Sequence, residues 1–534
     1  MATLPKGVEA FQTGDPWSNA HQNFTHRFTG KSYALRVFSN ESSIDDYNTT
    51  TGNIQWLIKQ AIESGTTLRA IGNNWSFSPV AMCDGGIIST KGLNLRFRLG
   101  NSSIHPAWSA AGKTKDDLLF VQCGMTILEL SELLETNFDP PRCLIACGGS
   151  NGQSIAGATS TGTHGGALRV GAVHEGIVGL HIVTGPDKHV WLERSSNPVA
   201  SQQFVDTLGA ELKRDDDDLF NAAVVSFGSF GVIHGILLET APLYLLEEHR
   251  FDNVVYNDTL VEALQTQDLS KLAAILPAWP EETPDRSLYH LELAINPHQF
   301  ERNNPKKGMY IRTFYKIPCP VDYKPVHNTV TSGLTYSDDM MGIISKIMDK
   351  IGPDVSSKLI KPLVNSLFKS GLRAAQPTPK TMGETFKNTR FRGQIASAAF
   401  AIDCADIFRV VDIISAINKK SPLAGGVAFR FVKGTKATLG FTKFPKTCVI
   451  EMDGIDAEVT RKFFEKVWLT LEEVGIPYTL HWGKMNFILN RERVIDMYGE
   501  EKVKSWVKCR HDLLNEPVRK VFTNDFMITC GLDL

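Results

Sequence analysis

The sequence is short of cysteine, of net charge and of long uninterrupted apolar runs. Its nine cysteines are scattered over 534 residues, odd in number and without a Cys-x-x-Cys pair. That pattern excludes a disulfide scaffold and a thiolate zinc site, so no metal ligands are assigned. Lysine plus arginine (56) nearly balance aspartate plus glutamate (58), a formal net charge of -2. Such a balance gives no basic field for nucleic acid and no strongly acidic one for cationic partners. The most apolar long segment, Phe220 to Leu246, is interrupted by Ser226, Ser229, His234 and Glu239. A membrane helix needs about 20 nearly uninterrupted apolar residues. This segment therefore reads as sheet core, and no transmembrane segment is expected. The opening stretch MATLPKGVEAFQTGDPW has no apolar run beside basic residues, which predicts a cytoplasmic location. Nothing in the composition sets an oligomeric state.

What the sequence does have is a glycine-rich stretch from Cys143 to Gly166, CLIACGGSNGQSIAGATSTGTHGG. Its glycines let the backbone approach a ligand and turn successive N–H groups toward an anion. Ser150, Ser154, Ser160, Thr161 and Thr163 add hydroxyl donors. A flexible linker would carry more charge, whereas Ile145, Ile155, Ala156 and Ala158 imply burial.

At this length two to four structural units are expected. Residues 1–30 read as an irregular arm, and 32–40 as a strand. Apolar positions Ile54, Leu57, Ile58, Ala61 and Ile62 suit one face of a helix over 54–64. TTLRAIG then runs into a second polar loop, GNNWSFSP (72–79), with further strand expected after it. Strands are predicted at 85–94 and 117–126, and a helix after the cap Thr126. Two strands joined by a Gly-Pro-Asp turn are predicted over 178–193. The four aspartates at 215–218 read as a solvated helix start. Near residue 245 the texture changes to strand-like pieces among proline-rich loops. Residues 337–375, with Lys346, Lys350, Lys358, Lys361 and Lys369 flanking an apolar face, read as cap helices packed on a sheet. A membrane-touching or lid helix is the alternative there. Strands and helices alternate again from 394 to 486.

These parts resemble a known family. RAIGNNWSFSP is similar to the first diphosphate loop of FAD enzymes of the vanillyl-alcohol-oxidase, or PCMH, type. GGSNGQSIAGATSTGTHGG is similar to their second flavin loop, and DDLFNAAVVSFGSFGVIHGILLET to the segment that closes their FAD domain. VAFRFV and HWGK resemble the aldonolactone and alditol oxidase branch, with sterol oxidases a close second. The resemblance implies an α+β fold: a two-subdomain PCMH-type FAD-binding domain plus an α+β cap with an antiparallel sheet and helices. Residues 1–244 and 486–534 would bind FAD, and 245–485 would form the substrate cap.

The implied cofactor contacts are Ile71, Gly72, Asn73, Asn74, Trp75 and Ser76 in the first loop. In the second they are Gly149, Ser150, Ser154, Gly157, Ser160, Thr161, Gly162, Thr163, His164 and Gly165. Gly231, Val232, Ile233 and Asn486 complete the set. Enzymes of this branch commonly tether FAD to a histidine of the first loop. Asn73, Asn74 and Trp75 stand there instead, so the FAD is expected to be non-covalent, with Cys143 and Cys147 as buried structural thiols. The family also places a glutamate two residues before the arginine of VAFRFV, where this chain has Ala428.

Alcohol oxidation by flavin needs hydride delivery to the ring N5 and removal of the hydroxyl proton. Lys484 is the expected contact of substrate oxygen or flavin. Arg430, on an apolar strand, either binds substrate oxygen or pairs with a structural acid. Glu451 or Asp453 would replace the missing carboxylate, Glu451 with a pKa raised by burial, and His481 is a candidate base. His164 reads as a loop hydrogen-bonder. The expected partners are a small-molecule alcohol, sugar-derived lactone or sterol, and O2 or another electron acceptor. A different flavin-dependent oxidation, forming C–C or C–N bonds, and a catalytically silent flavin-fold binding protein remain open at this point.

Overall fold

The computed structural model describes residues 3–13, 16–38, 42–276, 278–327, 378–387 and 395–533, with short pieces at 361–362, 364–366 and 368. The helical region expected over 337–375 lies outside the described residues except for those short pieces.

Among the described residues, three larger sheets carry the fold. The first joins Val8–Phe11, Ser32–Arg36, Ile87–Gly92 and Arg69–Ile71, its last three strands parallel. The second is built on Leu118–Gln122, Ile177–Val183, His189–Leu192 and Val232–Pro242. Its central strands are largely apolar and buried on both faces, with Gln122, His181 and His234 buried among the aliphatic residues. Helix Ile44–Ser64 packs against them and ends at Gly65, whose φ of 63° suits a residue without Cβ.

That helix starts ten residues before the periodicity predicts. Its first half buries Tyr47, Thr50, Thr51 and Asn53 rather than aliphatic residues. The Tyr47 hydroxyl lies 2.6 Å from His181 Nδ1, and Thr50 Oγ1 lies 2.9 Å from His234 Nε2. A polar face satisfied by buried histidines leaves no hydrophobic stripe to read. The strand predicted at 85–94 is present as Ile87–Gly92. The chain stays irregular until Ile87 because Phe77 N–H donates to Gly483 O and the Ser78 hydroxyl to Trp482 O. Helix Ile127–Asn137 begins as predicted, with Thr126 and Glu129 bonded reciprocally.

The third sheet is antiparallel and takes its strands from Tyr244 to Leu480. One of its faces is apolar, with Val427, Phe429, Ile450 and Phe400 buried in the same core as helices Ile407–Lys420 and Glu458–Glu473. Side chains alternate along strands, so the other face carries the intervening residues. The C-terminal helices return to the N-terminal unit. Trp506 Nε1 donates to Ala222 O at 3.2 Å, and Leu68 N–H to Val521 O at 2.9 Å. No helix among the described residues is long and apolar enough to cross a membrane.

Candidate active site

A cleft enclosing about 1620 Å³, including its open mouth, runs between the N-terminal unit and the third sheet. Both polar loops line it. From the first loop come Ile71, Gly72, Asn73, Asn74, Trp75 and Ser76. From the second come Gly149, Ser150, Ser154, Gly157, Ser160, Thr161, Thr163 and His164. Gly231 and Ile233 complete this wall. Arg430, Glu451, His481 and Lys484 line the same cleft.

The two loops meet through glycines. A Cβ on Gly72 would lie 1.8 Å from Ser154 Oγ, and one on Gly152 would lie 2.4 Å from the Trp75 ring. Asn73 Nδ2 donates to Gly152 O at 2.7 Å. Asn74 adopts φ 64°, a left-handed conformation that asparagine tolerates better than most residues. Ser154 caps helix Ile155–Thr161, accepting from Gly157 N–H.

Four residues expected at the cofactor do not line the cleft. Gly162 ends that helix at φ 77°, facing the Phe441 ring. Gly165 packs against Cys147 O. Val232 alternates with Gly231 and Ile233 along its strand and points into the core. Asn486 braces the HWGK turn, its Nδ2 donating to Trp482 O at 3.0 Å.

Strand register explains the other wall. Glu292 pairs across from Arg430, Ala428 from Glu451, and Ser397 from Asp453. These residues therefore share one sheet face. Glu451, the cross-strand neighbour of Ala428, places a carboxylate on this face one strand over. Arg430 Nη1 lies 2.9 Å from Glu451 Oε2, and its Nε lies 2.9 Å from Glu292 Oε2. Arg430 is thus both a structural pair and a cleft residue. Burial alone would lower its pKa, but Glu451 and Glu292 hold it above the ordinary arginine value.

Glu451 departs from expectation in its titration. Burial pushes its carboxyl up, yet Arg430, Lys484 and His164 outweigh burial and hold it below the usual range. Glu292 behaves likewise, burial being overridden by Arg430, His290 and Arg312. His481 does not fit the role of base. Its Nδ1 accepts from Gly483 N–H at 2.9 Å, which leaves the proton of the neutral ring on Nε2. Burial, with His164 and Lys484 nearby, keeps it neutral. The ring is a donor.

Lys484 Nζ donates to Ser397 Oγ at 2.6 Å, and Ser397 donates in turn to Asp453 Oδ1 at 2.6 Å. Cys143 and Cys147 are buried, and neither lines the cleft.

Sequence reasoning missed several residues that line the cleft or, like Glu292, pair with one that does. Glu292 is a buried acid within SLYHLELAI, where His290 two positions earlier was the available signal. Ser397 sits in an alanine-rich strand and carries no signal of its own. His21 and Phe24 come from the arm read as irregular. This arm forms a short ladder, Trp17–Ser18 with Thr25–His26, and bridges the two walls. Asn19 Nδ2 donates to Ser76 O at 2.9 Å, and Asn23 Nδ2 to Asp456 Oδ2 at 2.9 Å. The His21 ring stacks on Phe77 with centroids 3.9 Å apart. Burial and the Lys484 charge lower its pKa to about 3.

In three dimensions the chain superposes on the cholesterol oxidase from B. sterolicum with a TM-score of 0.68, covering 99% of this chain and 100% of that one at 13% identity. A solvent-stable cholesterol oxidase aligns similarly, with a TM-score of 0.66. The fold is the PCMH-type FAD-binding fold. No family model matches the chain. In sequence it is 25% identical over 252 residues to a D-arabinono-1,4-lactone oxidase of Kluyveromyces lactis, 46% of this chain and 40% of that protein. It is 28% identical over 201 residues to an L-gulono-1,4-lactone dehydrogenase of Mycobacterium tuberculosis, 38% of each chain. The matched segments thus span well under half the length of these relatives. The motif resemblance to aldonolactone oxidases is matched by sequence relatives of that name, and the sterol-oxidase likeness by the fold.

Proposed function

We propose that this protein is an FAD-dependent oxidoreductase that oxidises a CH–OH group of a sugar-derived lactone, polyol or sterol-like alcohol. Residues 1–244 and 486–534 hold the flavin, and 245–485 cap it and bind substrate. The observation that carries the reading is one continuous cleft with both polar loops on one wall and Arg430, Glu451 and Lys484 on the other. The group fits the residues present. Close glycine contacts between the loops leave a cradle of backbone and hydroxyl groups suited to a diphosphate.

Bound flavin would supply a two-electron acceptor for hydride. The protein's residues would do the rest. The first loop and the hydroxyls of Ser154, Ser160 and Thr163 hold the dinucleotide. Lys484, steadied by Ser397 and Asp453, presents a cation to the flavin's N1–C2=O edge or to substrate oxygen, where negative charge develops. Arg430 and Glu451 orient the substrate hydroxyl, and His481 donates through Nε2. Trp75 offers no nucleophile for a covalent link, so the FAD is non-covalent. The named relatives support a lactone substrate, while O2 or another acceptor regenerates the flavin.

The test is direct. Purified protein reconstituted with FAD should take up the flavin, shown by its visible absorbance, and acid precipitation should leave the colour in the supernatant. Anaerobic addition of aldono-1,4-lactones, alditols and cholesterol should then bleach the flavin with at least one of them. A chain that stays colourless with excess FAD overturns the reading.

A further inference from the structure

Two hydrogen-bond acceptors face each other on the cleft with no donor bonded to either facing atom among the described residues. His164 Nδ1 lies 2.9 Å from Gly165 O, so that nitrogen must carry a proton and donate it to the carbonyl. In the neutral ring Nε2 is then a bare lone pair. It lies 3.7 Å from Glu451 Oε1. The other carboxylate oxygen, Oε2, is taken by Arg430 Nη1 at 2.9 Å. Both side chains are nearly fully buried, and both line the cleft.

An acceptor pair held this way is costly without a donor to satisfy it. A chain of contacts fixes it from both ends. Gly166 N–H donates to His290 Nδ1, His290 lies beside Glu292, Glu292 holds Arg430, and Arg430 holds Glu451. The network thus starts on the second glycine-rich loop at Gly166 and ends at Glu451, which faces His164 of the same loop.

We infer that His164 Nε2 and Glu451 Oε1 together form the subsite for the reacting hydroxyl, and that His164 takes its proton. The inference rests on the alcohol-oxidising function proposed above. The substrate O–H bond breaks toward His164 Nε2 as the C–H bond breaks, its electron pair leaving as hydride for the oxidised flavin. The C–O single bond becomes C=O, and the new imidazolium is stabilised by the Glu451 carboxylate. The charged and titratable groups around His164 are Glu451, Arg430, Lys484 and His481, whose ring centroid is 5.6 Å away. Burial is the largest influence on His164, and the balance leaves its pKa lowered to about 4. The ring is therefore an empty acceptor across the neutral range.

The test uses the FAD-loaded protein and the alcohol that bleaches it fastest, D-arabinono-1,4-lactone being the first probe. With the FAD first reduced by dithionite under anaerobic conditions, so that it can accept no hydride, equilibrium binding of that lactone is compared with binding of its methyl ether at the oxidised hydroxyl. The ether cannot donate. Wild type should prefer the alcohol by roughly tenfold or more, and His164→Asn and Glu451→Gln should each collapse that ratio toward one. In turnover, kcat should fall on the order of 100-fold or more in His164→Asn, with the acid limb near pH 4 lost. Glu451→Asp should restore part of the preference. If both variants take up FAD normally and keep the alcohol preference and the acid limb, the subsite is overturned while the alcohol oxidase reading stands. If no alcohol bleaches the flavin, both fall.

Discussion

On the loop wall of the cleft, a methyl added to Gly72 would sit 1.8 Å from Ser154 Oγ, and the groups facing the cleft are mostly glycine backbone, small hydroxyls and amides. On the strand wall, Arg430 is clamped between Glu292 and Glu451, and the groups facing the cleft are buried charges. The loop wall needs residues without side chains, because close approach of two backbones makes the cradle. The strand wall needs every charge partnered, because an unpaired ion in that setting is expensive. Damage to the two walls should therefore differ in kind. The loop wall should lose ligand and keep its fold, whereas the strand wall should lose stability first.

Arg430→Met is the strongest way to break this contrast. It leaves Glu292 and Glu451 buried without their shared cation, and about 3–5 kcal/mol of stability should go. Chemical denaturation of the flavin-free protein checks it. A loss below 1 kcal/mol would mean that the strand wall does not depend on its charges.

Acid should act next most strongly, and from beneath the loop wall. His234 is buried among Thr50, Thr51 and Gln122, and burial, with His189 nearby, lowers its pKa to about 3. The unfolded chain takes up that proton from about pH 6.5 downward while the folded chain does not, so stability is lost as pH falls. Between pH 7 and pH 5 the cost is about 2 kcal/mol for this one ring. The depressed Glu292 and Glu451 work in a lower window. Their stabilisation is complete above the ordinary glutamate pKa and is lost only as pH falls beneath it. Denaturation at pH 7 and pH 5 should thus show a slope that His234→Gln makes shallower by about 2 kcal/mol. An unchanged slope would remove His234 from the account.

Gly72→Ala sharpens the loop side. The added methyl meets Ser154 Oγ and Cβ, so the loops must part, and FAD affinity should weaken about tenfold with little change in unfolding of the flavin-free protein. Ser154→Gly in the same chain removes the obstruction at a cost of a few tenths of a kcal/mol to the helix cap. Flavin titration of the single and double variants should show part of the affinity returning, the rest being lost with the Ser154 hydroxyl.

The same contrast decides what could be read from sequence. The loop wall was legible because its glycines and hydroxyls are contiguous in the chain, and most residues expected to touch flavin do line the cleft. The misses there, Gly162, Gly165 and Val232, turn on which way one residue faces. The strand wall was legible only in part. Arg430, Glu451 and Lys484 stood out as ions among apolar neighbours, but Glu292 and Ser397 join them through register between strands over 50 residues apart. The fall in the Glu451 pKa comes from that register too, since burial alone argues the other way. Helix Ile44–Ser64 hid its first half for a related reason, its buried face being satisfied by His181 and His234 from distant strands.

The smallest effect is expected where a reactive side chain sits near the loop in sequence and away from the cleft in space. Cys143 precedes the second glycine-rich loop, and its Sγ lies 3.5 Å from Pro242 O. Burial raises its thiol pKa to about 12, which leaves almost no thiolate to attack a flavin near neutral pH. Cys143→Ala should accordingly leave FAD dissociable and its affinity within about 0.5 kcal/mol of wild type. Flavin titration followed by acid precipitation checks both, and a fall in bound flavin would place this thiol on the loop wall after all.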